Sequence, residues 1–160
     1  MLRDVLALTA GLPEHSLASG DILFPEGAAA SSVFVLVEGE LVIEAGGVVL
    51  NRHSAPGSFV GEIGALLQQN RSASVMAAAP TIVREIGDPD HFFATNPQIG
   101  LEVARQLAAR LDRLTAYVVD VQRQFADRDD HLGVFGEVLS RIGARPPIDI
   151  EPGSDRSPDY

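Results

Sequence analysis

Residues 60–75, VGEIGALLQQNRSASV, are mostly small and apolar, yet they carry Glu62 directly after Gly61 and Arg71 nine positions later. If Gly61 to Leu67 turns into one or two helical turns, its first amides lack intrahelical partners and form a small positive pole suited to a phosphate. Gly61 would let a ligand approach the backbone closely, and Glu62 would accept hydrogen bonds from a sugar hydroxyl. Arg71, entering the next strand, offers a planar fork of donors that matches two phosphate oxygens. Ser72 adds a hydroxyl. Such a set could serve a phosphodiester and a ribose together; the plainer reading is a structural ion pair joining a helical turn to a strand.

These residues need a scaffold, and the flanking pattern supplies one. From residue 16 to about 86, short runs of period two are separated by Gly, Pro, Asn and Asp. In SVFVLVEGELVIEAGGVVLNRH, β-branched and aromatic residues alternate on either side of Glu38-Gly39, with Gly46-Gly47 as a second turn, which reads as consecutive antiparallel strands. DILFPEG precedes them, and SASVMAA and TIVREI follow. Strands at this spacing predict a sandwich, barrel or roll. After Asp88 the period changes. Asn96-Pro97 predicts a helix start, with Asn96 as cap and Pro97 at the first position. Ala104, Leu107, Leu111, Leu114, Val118, Val121 and Phe125 then follow alternating spacings of 3 and 4, a single apolar seam. Leu132, Phe135, Val138, Leu139 and Ile142 predict a short amphipathic helix over 129–143, and the Pro-rich, polar 144–160 predicts disorder.

The stretch resembles the phosphate-binding cassette of the cyclic nucleotide-binding domain family, which reads approximately F-G-E-[LI]-[AG]-L, a short gap, then R-[STA]-A-[TS]-V. Gly61, Glu62, Arg71, Ala73 and Val75 match it, whereas Val60, Ala65 and Asn70 depart from it. SGDILFPEG and FVLVEGELVI extend the similarity, with Gly20, Gly27 and Gly39 at the family's turns, over roughly residues 12 to 125. The resemblance implies a mainly β protein: an antiparallel, jelly-roll-like β-roll with flanking helices, a short phosphate-binding helix and a long C-terminal helix. It implies that Glu62 meets the ribose 2′-hydroxyl. The Gly61 to Ile63 backbone, Arg71 and Ser72 would meet the cyclic phosphate, with Ala73 lining the ligand, and Thr115 on the long helix would meet the base. The ligand would be cAMP, with cGMP the alternative, and the domain would run from 1 to 128 including the long helix. It resembles the sensor domain of catabolite-activator-type bacterial regulators without a DNA-binding domain.

Composition narrows the functions further. Acidic residues number 22 against 12 basic ones, all of them Arg, for a net charge of -10, which repels phosphate backbones. Residues 126–160 hold eight acids and four Arg, net -4, too short and of the wrong sign for a DNA-reading head. No Cys is present, so disulfides and thiolate chemistry are excluded. The N-terminal apolar run is broken by Asp4 and nothing later approaches a membrane span, which predicts a cytoplasmic chain. A cupin-like metal enzyme would need His ligands converging inside the roll. Of His15, His53, His91 and His131 only His53 falls in the expected strand region, so no metal, cofactor or catalytic residue is assigned. The expected protein is a non-enzymatic receptor that dimerises through residues 104–125 and signals to a separate, unidentified effector. A ligand-free dimerisation or scaffold module of the same fold is the alternative.

Overall fold

The computed structural model describes residues 2–125, in the order α1 (Leu2–Leu8), β1 (Glu14–Leu17), β2 (Ile22–Phe24), β3 (Val33–Glu38), β4 (Leu41–Ala45), β5 (Val48–His53), β6 (Phe59–Val60), α2 (Glu62–Leu66), β7 (Ser74–Ala77), β8 (Thr81–Ile86), α3 (Pro89–Thr95) and α4 (Pro97–Phe125). The strands form two antiparallel four-stranded sheets, ordered β1-β8-β3-β6 and β2-β7-β4-β5. This is the expected β-roll with flanking helices. The amphipathic segment and the tail expected at 129–143 and 144–160 lie outside the described residues. By compactness the chain divides into Met1–Asp112 and Arg113–Tyr160, the first holding the whole roll.

Two apolar clusters explain why β3 is a continuous hydrophobic run rather than a half-buried alternation. Phe34 and Leu36 point between the sheets with Phe24, Leu41, Val60, Val75 and Val83. Val33 and Val35 point the other way, joining Val5 of α1, Ile86 of β8 and Ile99 and Val103 of α4. A strand covered on both faces carries apolar residues at successive positions.

The two glycine turns do different things. Gly46 and Gly47, at φ 57° and 79°, form a two-residue hairpin loop with Ala45 opposite Val48. Positive φ at both central residues is what such a loop requires. At Glu38-Gly39 the expected hairpin is absent. β3 pairs with β6 and β8, β4 with β5 and β7, so the chain changes sheets there. Gly39 makes the crossing at φ 95°, so close to β8 that a Cβ would strike Thr81 Oγ1 and lie 2.5 Å from Pro80 O.

α3 was not foreseen. Asp88 accepts a hydrogen bond from His91 N at 3.0 Å and Pro89 takes the first position, a start signal legible in DPDH. Pro97 does open α4. Asn96 stands at the cap position of α4 through its carbonyl, which accepts from Ile99 N at 2.9 Å and Gly100 N at 3.3 Å, while its side chain donates back to Phe92 O at 3.0 Å and closes α3. β1 also begins earlier than expected, making His15 a strand residue, with Nε2 2.8 Å from Glu85 Oε2.

Gly39→Ala combines a strained backbone, about 1–2 kcal/mol, with an overpacked contact, about 1–3 kcal/mol. Urea denaturation of the full chain is expected to show a loss near the sum, about 2–5 kcal/mol. Gly20→Ala, also at positive φ but with nothing within 4 Å of its Cβ, should show the backbone part alone. Equal losses would remove the sheet-crossing contact from the explanation.

Candidate functional site

The end of β6 leads directly into the residues singled out above. Gly61 stands at φ 81° before α2, which is a single short turn of helix, as the sequence implied. Its conformation and its space both require glycine: a Cβ would strike Arg71 Nη1 and come within 3.3 Å of the Phe24 ring. Glu62 opens α2 and is 2% exposed, and Arg71 is 5% exposed, so both charges lie almost out of water. They line one hollow of about 60 Å³ together with Ile63, Ser72, Ala73, Phe24, Ile43, Val60, Val75 and Arg110. The structure thus gathers Gly61, Glu62, Ile63, Arg71, Ser72 and Ala73 in one place. Thr115 is an exposed residue of α4 beyond Asp112 and is not among those lining the hollow.

Arg71 precedes β7 by three residues rather than entering it, and its backbone is pinned to the 27–28 loop by Arg71 N to Ala28 O and Gly27 N to Arg71 O, both 2.8 Å. Its guanidinium lies over the Phe24 ring, 4.1 Å from the centroid. Nη1 donates to Gly61 O and Nη2 to Ser32 O, each at 2.8 Å. Nε, fully buried, has no hydrogen-bond partner among the described residues. An unpartnered donor of this kind costs free energy unless a ligand supplies the acceptor.

Glu62 does not pair directly with Arg71. Its Oε1 accepts from Nη1 of Arg110 on α4, whose Nη2 donates to Phe59 O at 2.8 Å. Sequence reasoning missed Arg110. It shares a helix face with Ile99, Val103 and Gln106, spaced 4, 3 and 4, a second stripe one position from the apolar seam. Burial raises the Glu62 pKa above its ordinary 4.5, outweighing Arg110, the residue's own backbone N–H and Arg71, all of which lower it. Burial likewise lowers that of Arg71, opposed by Glu62 and Glu85. Both charges are therefore held at a net cost in solvation, the pattern of groups kept for chemistry or recognition.

A larger hollow of about 500 Å³ lies elsewhere, between the segment after α2 and the start of α3. Its lining holds Asp88 and Asp90 and no basic side chain, so it is unsuited to an anion. Among the described residues no group of three His, Asp or Glu could hold a metal ion. No helix among them is long and apolar enough to cross a membrane.

A roll with a buried carboxylate and guanidinium around a glycine-led helical turn sets donors suited to an anion beside an acceptor suited to a hydroxyl. Comparison with known proteins gives the family: residues 14–92 match the model of the cyclic nucleotide-binding domain, and this part of the chain belongs to that family. A solved structure from work on a cyclic-GMP-dependent signalling pathway that regulates bacterial phytopathogenesis is 26% identical, covering 71% of this chain and 95% of that one at a TM-score of 0.60. The catabolite activator protein of Thermus thermophilus shares the fold at 20% identity, covering 75% of this chain and 59% of its own, TM-score 0.63. So does the c-di-GMP-responsive global regulator CLP of Xanthomonas campestris, at 18% identity, covering 90% and 73%, TM-score 0.63. No curated protein sequence matches the chain significantly.

Because its folded pKa is raised, Glu62 binds a proton more readily in the folded than in the unfolded chain. Its contribution to stability is thus greatest below pH 4.5 and declines as pH rises from there through the folded pKa, then stays level. In thermal melts the wild type is expected to lose ground against Glu62→Gln over that window. A difference moving in favour of the wild type with rising pH would mean that the attraction to Arg110 outweighs burial.

Proposed function

We propose that the protein is a cytoplasmic, non-enzymatic receptor for a cyclic nucleotide, cAMP before cGMP, and that it signals to a separate effector. The observation that supports this reading is the buried Arg71, with two nitrogens on backbone carbonyls and an unpartnered Nε, in one hollow with buried Glu62 and the Gly61 turn. Arg71 would anchor the cyclic phosphate with help from Ser72 and the Gly61 to Ile63 backbone, and Glu62 would accept from the ribose 2′-hydroxyl. Phe24, Ile43, Val60, Ala73 and Val75 would give the ligand apolar walls. Thr115 is assigned to the base by the family resemblance. The cGMP reading rests on the Ser72 hydroxyl and on the cyclic-GMP-dependent pathway to which the 26%-identical structure relates.

Dimerisation through 104–125 is part of the proposal. The seam divides: Leu107 packs against the core cluster containing Ile99 and Val103, whereas Leu111 and Leu114 are 64% and 59% exposed. Apolar side chains so placed on a helix favour a second copy at about 1.5–3 kcal/mol for each one buried, before association entropy.

Calorimetric titration of the full chain with cAMP and cGMP is expected to show binding that Arg71→Ala nearly abolishes. Truncating one partner of a desolvated charge contact costs about 2–5 kcal/mol, or roughly 30- to several-thousand-fold. Glu62→Ala and 2′-deoxy-cAMP should show smaller and similar losses. An Arg71→Ala protein that titrates like the wild type would end this assignment. In sedimentation the wild type should be a dimer and Leu114→Asp with Val118→Asp a monomer; a wild type monomeric at high micromolar concentration, with and without cAMP, argues against the interface.

A further inference from the structure

Both charged groups of the candidate site are already engaged by the protein. Arg71 donates to Gly61 O and Ser32 O, and Glu62 is held by Arg110. The hollow between them, about 60 Å³, is far below the roughly 300 Å³ at which ligand pockets begin, so a nucleotide seated in it needs a wall to move. Val60 and Val75 are 1% and 2% exposed and belong to the cluster between the sheets. Arg110 differs from them. Its side chain is 21% exposed, and its guanidinium is held by hydrogen bonds and one ion pair.

Gln106, one helical turn earlier on the same face, completes this attachment. Its Oε1 accepts from Phe59 N at 3.3 Å and its Nε2 donates to Gly57 O at 3.2 Å, while Arg110 Nη2 donates to Phe59 O. Two side chains of α4 therefore satisfy both backbone groups of Phe59 in β6, the strand that runs into Gly61, and the carbonyl of Gly57 just before it, and one of the two also holds Glu62. β6 is the last strand of its sheet, so among the described residues no further strand pairs with that edge.

We propose that Gln106 and Arg110 form a latch that keeps the site closed, and that a ligand hydroxyl reaches Glu62 by displacing Arg110 from it. This rests on the cyclic nucleotide reading above. After the exchange Glu62 keeps the nearby Arg71 charge and gains a hydroxyl donor, while Arg110, partly exposed already, moves into water. Closure lowers apparent affinity in proportion to the fraction of molecules that are open at any moment. Loosening the latch then strengthens binding, the opposite of what removing a ligand-contacting or merely supporting residue does.

The test is stopped-flow and calorimetric titration of the full chain with cAMP and with cGMP, comparing wild type, Arg110→Gln and Gln106→Ala. Arg110→Gln is expected to raise the association rate and tighten binding by about fivefold or more, the lower end of ordinary coupling between sites. Gln106→Ala, which leaves the Glu62–Arg110 pair in place, should shift both in the same direction by less, and carries the test should Arg110→Gln fold poorly. Weaker binding through faster dissociation, or an unchanged association rate in both variants, overturns the latch and leaves the receptor reading intact. Absence of binding by all three proteins at millimolar nucleotide overturns the receptor reading, and the latch with it.

Discussion

Taking Glu62 and Arg71 out of water is the constraint around which this part of the molecule is built. Neither charge is stable in an apolar roll by itself, and the surroundings read as a set of compensations. Arg71 is stacked on Phe24 and tied to two carbonyls. Glu62 is neutralised from outside the strand region by Arg110. Gly61 lacks a side chain because the guanidinium occupies the space. The compensation is incomplete, since burial still dominates the proton equilibria of both groups and one guanidinium nitrogen is left without a partner among the described residues. Replacing such charges with apolar residues is often neutral or stabilising in other proteins, so their retention here fits a role in recognition rather than in folding.

The roll makes that burial possible by sandwiching β3 between two apolar layers. One layer fills the space between the sheets and supplies Phe24, Val60 and Val75 to the walls of the hollow. The other seats α1 and α4 on the far side of the same strand through Val5, Ile99 and Val103. Phe59 and Val60 belong to one layer each, because successive residues of a strand face opposite ways. The two-residue strand β6 therefore ties the helix layer to the hollow. α4 is consequently two-faced within the first unit: Ile99, Val103, Gln106 and Arg110 meet the roll, whereas Leu111 is turned out. That division sets the residues that hold the proposed ligand site and the exposed Leu111 on different faces of one helix.

Much of this was legible before any coordinates. The change from period two to a helical period near Asp88 set the order of roll and helix, because burying one face imposes different repeats on strands and helices. Gly61, Glu62, Arg71, Ser72 and Ala73 lie close enough in the chain for local turn geometry and side-chain chemistry to suggest one anion site, and the Gly46-Gly47 hairpin follows from local backbone preference alone. What the sequence could not decide were the contacts made across long separations. Glu38-Gly39 looks like a hairpin turn and is a sheet crossing, since strand partners are chosen by the packing of β8 against Gly39 and not by the turn itself. The partner of Glu62 proved to be Arg110, 48 residues away, and not Arg71, because desolvation of a buried carboxylate is met by whichever cation the fold brings within reach. Residue type and local spacing determined which groups could recognise a ligand; only the tertiary structure decided which charges are buried and which neighbour answers each, because both depend on chain segments that meet in space without being near in sequence.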